Sequence, residues 1–114
     1  MAKHDPDLSL LLHALSDPTR RAMLSRLTKG PAAVTALAAP TRLRLPTILR
    51  HLSVLEAAGL IATAKDGRVR SCTLVPTALD PVRGWMDEQR AQWEARFDRL
   101  EDHVMKLMET PDDC

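Results

Sequence analysis

A chain of 114 residues is long enough for one compact domain with a modest core and too short for two ordinary ones. Hydrophobic residues make up 45% of it but aromatics only 3%, and the apolar content is mostly Leu and Ala, which favours helices and argues against an all-β architecture. The net charge of +1 names no partner, but residues 1–71 carry eleven Lys/Arg against five Asp/Glu while residues 72–114 carry five against ten. The basic part is expected to face a polyanion, with the acidic part held away from it. No apolar run approaches bilayer length, and MAKHDPDLSL lacks the basic flank and apolar stretch of a signal peptide, so a cytoplasmic protein is expected, with no membrane partner. Cys72 and Cys114 are too few for a disulfide framework and, without CxxC or clustered Cys/His, make no zinc site; both are expected to be reduced thiols.

Leu8, Leu11, Leu12 and Leu15 share one helical face in a segment opened by Asp5-Pro6-Asp7, which predicts a short first helix. Ser16-Asp17-Pro18 supplies a cap and a first-turn proline, predicting a second helix from Pro18 to Leu27 with Met23, Leu24 and Leu27 inward and Gly30-Pro31 ending it. Val34 to Ala39, closed by Pro40, reads as a brief third helix, followed by the basic connection Thr41-Arg42-Leu43-Arg44-Leu45. From Leu45 to Ala58 the spacing of Ile48, Leu52 and Leu55 predicts a fourth helix with Thr47, Arg50, His51 and Ser53 elsewhere on its surface and Gly59 as its left-handed stop. Two β-patterned runs, 61–65 and 68–75, flank Asp66-Gly67 and predict a hairpin with these two as its loop. The last segment, 82–108, is polar and helical. Its Trp93, Phe97, Leu100, Val104 and Leu107 recur at steps of four and three and ask for a partner surface, expected to be a second subunit.

The expected fold is therefore mainly α with a β-hairpin wing: a single winged helix-turn-helix domain over 1–114. Within it, 34–58 is the helix-turn-helix, 61–75 the wing, and 8–15 and 82–108 the dimerisation helices. A basic helix of this kind fits the major groove of double-stranded DNA, and a hairpin beside it reaches the adjacent backbone or minor groove. Between Pro18 and Ser71 there are ten Lys/Arg against only Glu56 and Asp66. Thr47, Arg50 and His51 are the expected contacts from the groove helix, Arg42 and Arg44 the expected phosphate grips, and Arg68 and Arg70 the wing contacts. The expected dimer interface is Leu8, Leu11, Leu12, Leu15, Trp85, Trp93, Phe97, Leu100, Val104 and Leu107; a small-molecule pocket is the alternative use of Trp85 and Trp93. Arg20 and Arg21 read as local ion-pairing partners of Asp17 or as residues that approach the DNA backbone. There is no nucleophile elbow, Gly-rich phosphate loop, HExxH or paired-carboxylate motif, so no enzyme, catalytic residue or cofactor is expected.

The segments Leu15-Ser16-Asp17-Pro18-Thr19-Arg20-Arg21, Arg50-His51-Leu52-Ser53-Val54-Leu55-Glu56-Ala57-Ala58-Gly59-Leu60-Ile61 and Asp66-Gly67-Arg68 resemble the ArsR/SmtB family of winged-helix repressors over roughly residues 8 to 108. The tail, from Trp85 and Trp93 through Arg96-Phe97-Asp98-Arg99-Leu100-Glu101, is similar to members without metal-binding motifs. The resemblance implies a homodimer joined through its first and last helices, with paired fourth helices on a near-palindromic operator and a promoter blocked by binding. Three departures stand out. Arg44 and Leu49 replace the serines common in relatives, so the fourth helix loses its usual capping side chain and one hydroxyl near DNA. Thr35-Ala36-Leu37-Ala38-Ala39 stands where metal sensors carry a Cys-x-Cys motif, and Asp98 and His103, five apart, fall on different helix faces. No metal site is expected, and no effector is named. The competing readings are a winged-helix protein-interaction module and a thiol-responsive repressor acting through Cys72.

Overall fold

In a computed structural model, which describes residues 6–109, the order is α1 (Pro6–Leu15), α2 (Pro18–Leu27), β1 (Ala32–Ala33), α3 (Val34–Ala38), a 3-10 turn (Ala39–Thr41), α4 (Leu45–Ala57), β2 (Ile61–Asp66), β3 (Val69–Leu74) and α5 (Asp80–Met108). Cys114 and the helix-opening Asp5 lie outside the described residues. The chain divides into two compact units, Met1–Val82 and Arg83–Cys114.

Local chemistry sets the helix ends of the first unit. Asp17, in extended backbone, caps α2 by accepting the Arg20 N–H at 3.1 Å, and Pro18 occupies a first-turn site that needs no donor. That hydrogen bond, with help from His51 and Arg20, holds the Asp17 carboxyl below the usual aspartate range, against some desolvation. At the end of α4, Leu60 N–H bonds to Leu55 C=O at 3.0 Å and Gly59 N–H to Glu56 C=O at 2.9 Å. This is a Schellman closure; it requires Gly59 at φ +78° and buries Leu60 against Leu55.

The core gathers Leu11 and Ala14 of α1, Met23 and Leu27 of α2, Val34 and Leu37 of α3, and Ile48, Leu52 and Leu55 of α4 with Leu60, Ile61 and Cys72. Each fully buried Leu or Ile side chain contributes about 1.5–3 kcal/mol relative to exposure, so the 48/52/55 stripe anchors α4 and turns its opposite side to solvent. The second unit has no such core: from Arg83 to Glu109 every residue except half-buried Gln89 is exposed.

Three local expectations need correction. The hairpin is not the whole sheet: β1, only two residues long, pairs antiparallel with β3, giving the order β1-β3-β2. The hairpin loop sits one residue later than expected, because Asp66 pairs with Val69 and leaves Gly67-Arg68 as the loop. Gly67, at φ +66°, takes the first central position, where a II′ turn accepts glycine without strain. Finally, the α1 leucines do not act as one outward stripe. Leu11 is 2% exposed within its own unit's core and Leu8 and Leu15 pack against that core, whereas Leu12 (44%) and Leu10 (45%) face out. Leu11 is therefore not available to a second subunit in this arrangement: the first unit needs it to close its own core.

Candidate nucleic-acid interface

The outward face of α4 is the complement of its buried stripe: Pro46, Leu49, Arg50, Ser53 and Ala57 are exposed, three and four residues apart. Arg50 lies at its centre. Thr47 and His51 fall on a half-buried flank with Val54 and Ala58. His51 is also tied to its own protein, its Nδ1 lying 3.1 Å from a guanidinium nitrogen of Arg20. Leu49 and Ser53 were not among the predicted site residues, although subtracting Ile48, Leu52 and Leu55 from the helix surface leaves them beside Arg50.

The connection into α4 is a shaped turn. Thr41 Oγ1 donates to the Ala38 carbonyl at 2.7 Å and accepts the Leu43 N–H at 3.0 Å, while Arg42 adopts a left-handed conformation, φ +60°. Arg42 and Arg44 are both exposed. Arg44 is the N-cap of α4 in extended backbone, and no side chain caps that helix end, so its positive partial charge is unopposed from within.

In the wing, cross-strand register places Ile61 opposite Leu74, Thr63 opposite Cys72 and Lys65 opposite Arg70, and alternation puts all six on one face. The column runs from buried Ile61 and Cys72 at the base to exposed Lys65 and Arg70 near the tip. Like charges directly opposite each other destabilise a hairpin, an arrangement that an anionic partner would relieve. Arg68 stands in the loop itself. A groove of about 400 Å³ separates the wing from the helices, lined by Ala33, Val34, Thr35, Leu45 and Leu49 on one side and Lys65, Arg68, Val69 and Arg70 on the other. Among the described residues the recorded ion pair is Arg90–Glu94 on α5, and none involves Arg42, Arg44, Arg50, Lys65, Arg68 or Arg70. These six cations of the first unit are not neutralised by carboxylates of the described chain. Lys65 is the one that sequence reasoning did not single out; the expected Asp66-Gly67 loop would set it opposite Arg68, and only the observed register sets it opposite Arg70.

Arg20 and Arg21 have a role different from the expected pairing with Asp17. Arg20 is buried; its Nε donates to Ala14 C=O at 2.8 Å and its Nη2 to His13 C=O at 3.0 Å, while Arg21 Nη1 donates to Leu15 C=O at 2.7 Å. The two arginines donate to carbonyls of the last turn of α1, joining Ser16 on that of His13, and place positive charge at the negative helix terminus.

On α5, Trp85, Trp93, Phe97, Leu100, Val104 and Leu107 are all exposed, Trp93 at 66% and Phe97 at 62%. Trp85, Trp93 and Phe97, with Met86, line a shallow groove of about 470 Å³. Cys72 is buried, and desolvation, reinforced by Glu56 and opposed by Arg70, pushes its thiol above the usual cysteine range. Among the described residues no group of three or more His, Cys, Asp or Glu could hold a metal, and no helix is long and apolar enough to cross a membrane.

Residues 15–64 match a family model described as a helix-turn-helix domain, the stretch that holds α2, the turn and α4. The HTH-type transcriptional regulator Rv2034 of Mycobacterium tuberculosis is 40% identical over 74 residues, 65% of this chain and 69% of that protein. The transcriptional repressor SdpR of Bacillus subtilis is 33% identical over 73 residues, 64% of this chain and 81% of that protein. The crystal structure of an ArsR family transcriptional regulator, RHA00566, superposes with a TM-score of 0.78 at 44% identity, covering 82% of this chain and 97% of that one. This chain belongs to the ArsR family of winged helix-turn-helix transcriptional regulators. ArsR regulators are a non-enzymatic, DNA-binding family. A second member, the ArsR-like transcriptional regulator from Rhodococcus sp. RHA1, superposes at 0.72 with 26% identity over 84% of this chain and 91% of that one.

Proposed function

We propose that this ArsR-family regulator is a sequence-specific repressor that acts in the cytoplasm as a homodimer on a near-palindromic operator. In this reading both units serve one DNA-binding domain. The α4 helix enters the major groove with Arg50 at base edges, Leu49 and Ser53 beside it, Arg42 and Arg44 on phosphate, and the wing carrying Lys65, Arg68 and Arg70 to the neighbouring backbone. The observation that carries it is the set of cations that no carboxylate of the described residues pairs with, three of which, Lys65, Arg68 and Arg70, line the groove between α4 and the wing, with Lys65 held opposite Arg70. The apolar stripe of α5, from Trp85 to Leu107, is the proposed seam between two copies. Repression rather than activation is supported by SdpR, itself a repressor.

A gel shift of the full chain against the DNA upstream of its own gene tests this reading. A discrete complex is expected at moderate salt, with affinity falling steeply as salt rises, by about 0.9 log unit per log unit of salt for each phosphate contacted. Absence of a complex, or equal affinity for a random duplex at every salt concentration, counts against it. The thiol-responsive alternative draws no support from Cys72, which is buried and whose thiol is pushed above the usual cysteine range.

A further inference from the structure

Arg20 is 8% exposed, and each of three guanidinium nitrogens has a separate task. Nε and Nη2 are fixed on the carbonyls of Ala14 and His13 at the end of α1, and the remaining arm, Nη1, meets Nδ1 of His51 at 3.1 Å, halfway along α4. A guanidinium has no acceptor and keeps its charge in proteins. A hydrogen bond across that contact therefore needs the lone pair of Nδ1.

We propose that Arg20 is a positioning residue for DNA reading: through His51 it locks α4 to the end of α1, and protonation of His51 releases the lock, so operator affinity falls on acidification. The inference rests on the reading that α4 enters the groove.

The chemistry of the release is local. An imidazolium carries a proton on Nδ1, so a donor would face a donor at a distance that suits a hydrogen bond, and two cations would stand side by side. The charged groups around the ring come from α2: the Arg20 guanidinium, and the Asp17 carboxylate, which interacts electrostatically with His51 and offsets part of the repulsion. From α1 the bridge receives the carbonyls of Ala14 and His13, and His13 carries the other titratable side chain at this helix end, on an exposed position; β2 meets α4 a turn beyond the ring, where Thr63 donates to Glu56 at 3.0 Å. The Asp17 carboxylate keeps one oxygen, Oδ2, on the Arg20 N–H as the cap of α2. With the ring displaced, the neighbouring Arg50 loses the frame that aims it.

The sign separates this device from simple charge. An added cation on a DNA-binding protein strengthens phosphate attraction, so without the lock a lower pH would tighten binding.

The test is equilibrium binding of the full chain to a duplex carrying its own upstream region, from pH 8 to pH 5.5 at fixed ionic strength, with a random duplex alongside. Three proteins are compared: wild type, Arg20→Lys and His51→Asn. Asparagine can present an amide oxygen where Nδ1 stands and does not titrate; lysine lacks the planar fork that serves three acceptors at once. Wild-type affinity for the upstream duplex is expected to fall about tenfold on acidification, at the level of one charge-assisted hydrogen bond, while circular dichroism shows the fold intact. His51→Asn should show no such fall, whatever its affinity at pH 8, and Arg20→Lys should bind more weakly at pH 8 and respond less to acid. Nitrogen-15 NMR of the imidazole at pH 8 should find Nδ1 unprotonated in the wild type. A flat or rising wild-type profile, an equal fall in His51→Asn, or a proton on Nδ1 at pH 8 overturns the proposal. Absence of binding by the wild type at pH 8 overturns the DNA reading and this inference with it, whereas binding at pH 8 with a flat profile overturns the inference alone.

Discussion

The two units of this chain use apolar residues in opposite ways. In the first, leucines and isoleucines from four helices and the sheet converge on one another, and its exposed leucines, such as Leu10, Leu12 and Leu49, lie among polar and basic residues. In the second, a single helix carries two tryptophans, a phenylalanine and several aliphatic side chains that no described residue of that unit covers. A helix whose large side chains stay in water gains little from packing, and packing supplies most of a helix's stability in proteins. The contrast teaches where the missing partner is to be sought: the first unit is closed and turns its cations outward, whereas the second holds the exposed apolar surface that marks an interaction site.

The strongest way to break the contrast is to make the α5 stripe polar. Trp93→Glu with Phe97→Glu should convert a dimer to monomers in sedimentation, raising the dissociation constant at least 30-fold, about 2 kcal/mol, the scale of an interface hot spot; an unchanged mass would remove the proposed seam. Leu55→Ala, in the closed unit, should cost about 3 kcal/mol in denaturant unfolding through the cavity it leaves, with little effect on association once refolded. A loss under 1 kcal/mol would mean the core is less tightly packed than its burial indicates.

Smaller effects sharpen the contrast on the basic side. Arg50→Ala should weaken specific binding by about 1–3 kcal/mol and blur base preference at one position, while Arg42→Ala should weaken all duplexes alike and reduce the salt slope by about one. If both variants act equally on every duplex, Arg50 is only another phosphate contact. The least effect is expected from Asp17→Asn, which keeps a capping oxygen but removes its titration. The native Asp17 carboxyl is held low, so its stabilising contribution is present above the ordinary aspartate range and lost as pH falls through the lowered native value. Thermal unfolding of wild type and Asp17→Asn should therefore differ more near neutrality than in strong acid, where the two converge, and parallel curves would remove this role.

Much of the architecture was legible because its punctuation is chemical. Asp17-Pro18 opens α2 and Gly59 closes α4, and both act through the backbone next to them, so α2 was placed at its observed bounds and α4 within one residue. The inward face of α4 was legible from spacing: Ile48, Leu52 and Leu55 recur at steps of four and three on one side of the helix. The first helix was not. Five of its ten residues are leucines that circle the axis, so periodicity cannot say which turn inward, and only the packing of α2 and α4 against α1 selected Leu11. The candidate site divides likewise: its arginines announce themselves by type, but Lys65 and Leu49 joined it through register and helix face.

Cap chemistry, turn glycines and the order of helices and hairpin follow from side chains acting on their own backbone, within a few residues, and so they can be read along the chain. The two-residue strand β1, the one-residue shift of the hairpin loop and the burial of Arg20 between α1 and α4 arise from contacts among segments far apart in sequence. Arg20 and His51 are thirty-one residues apart, and no local pattern encodes a distance that exists only once the helices have packed.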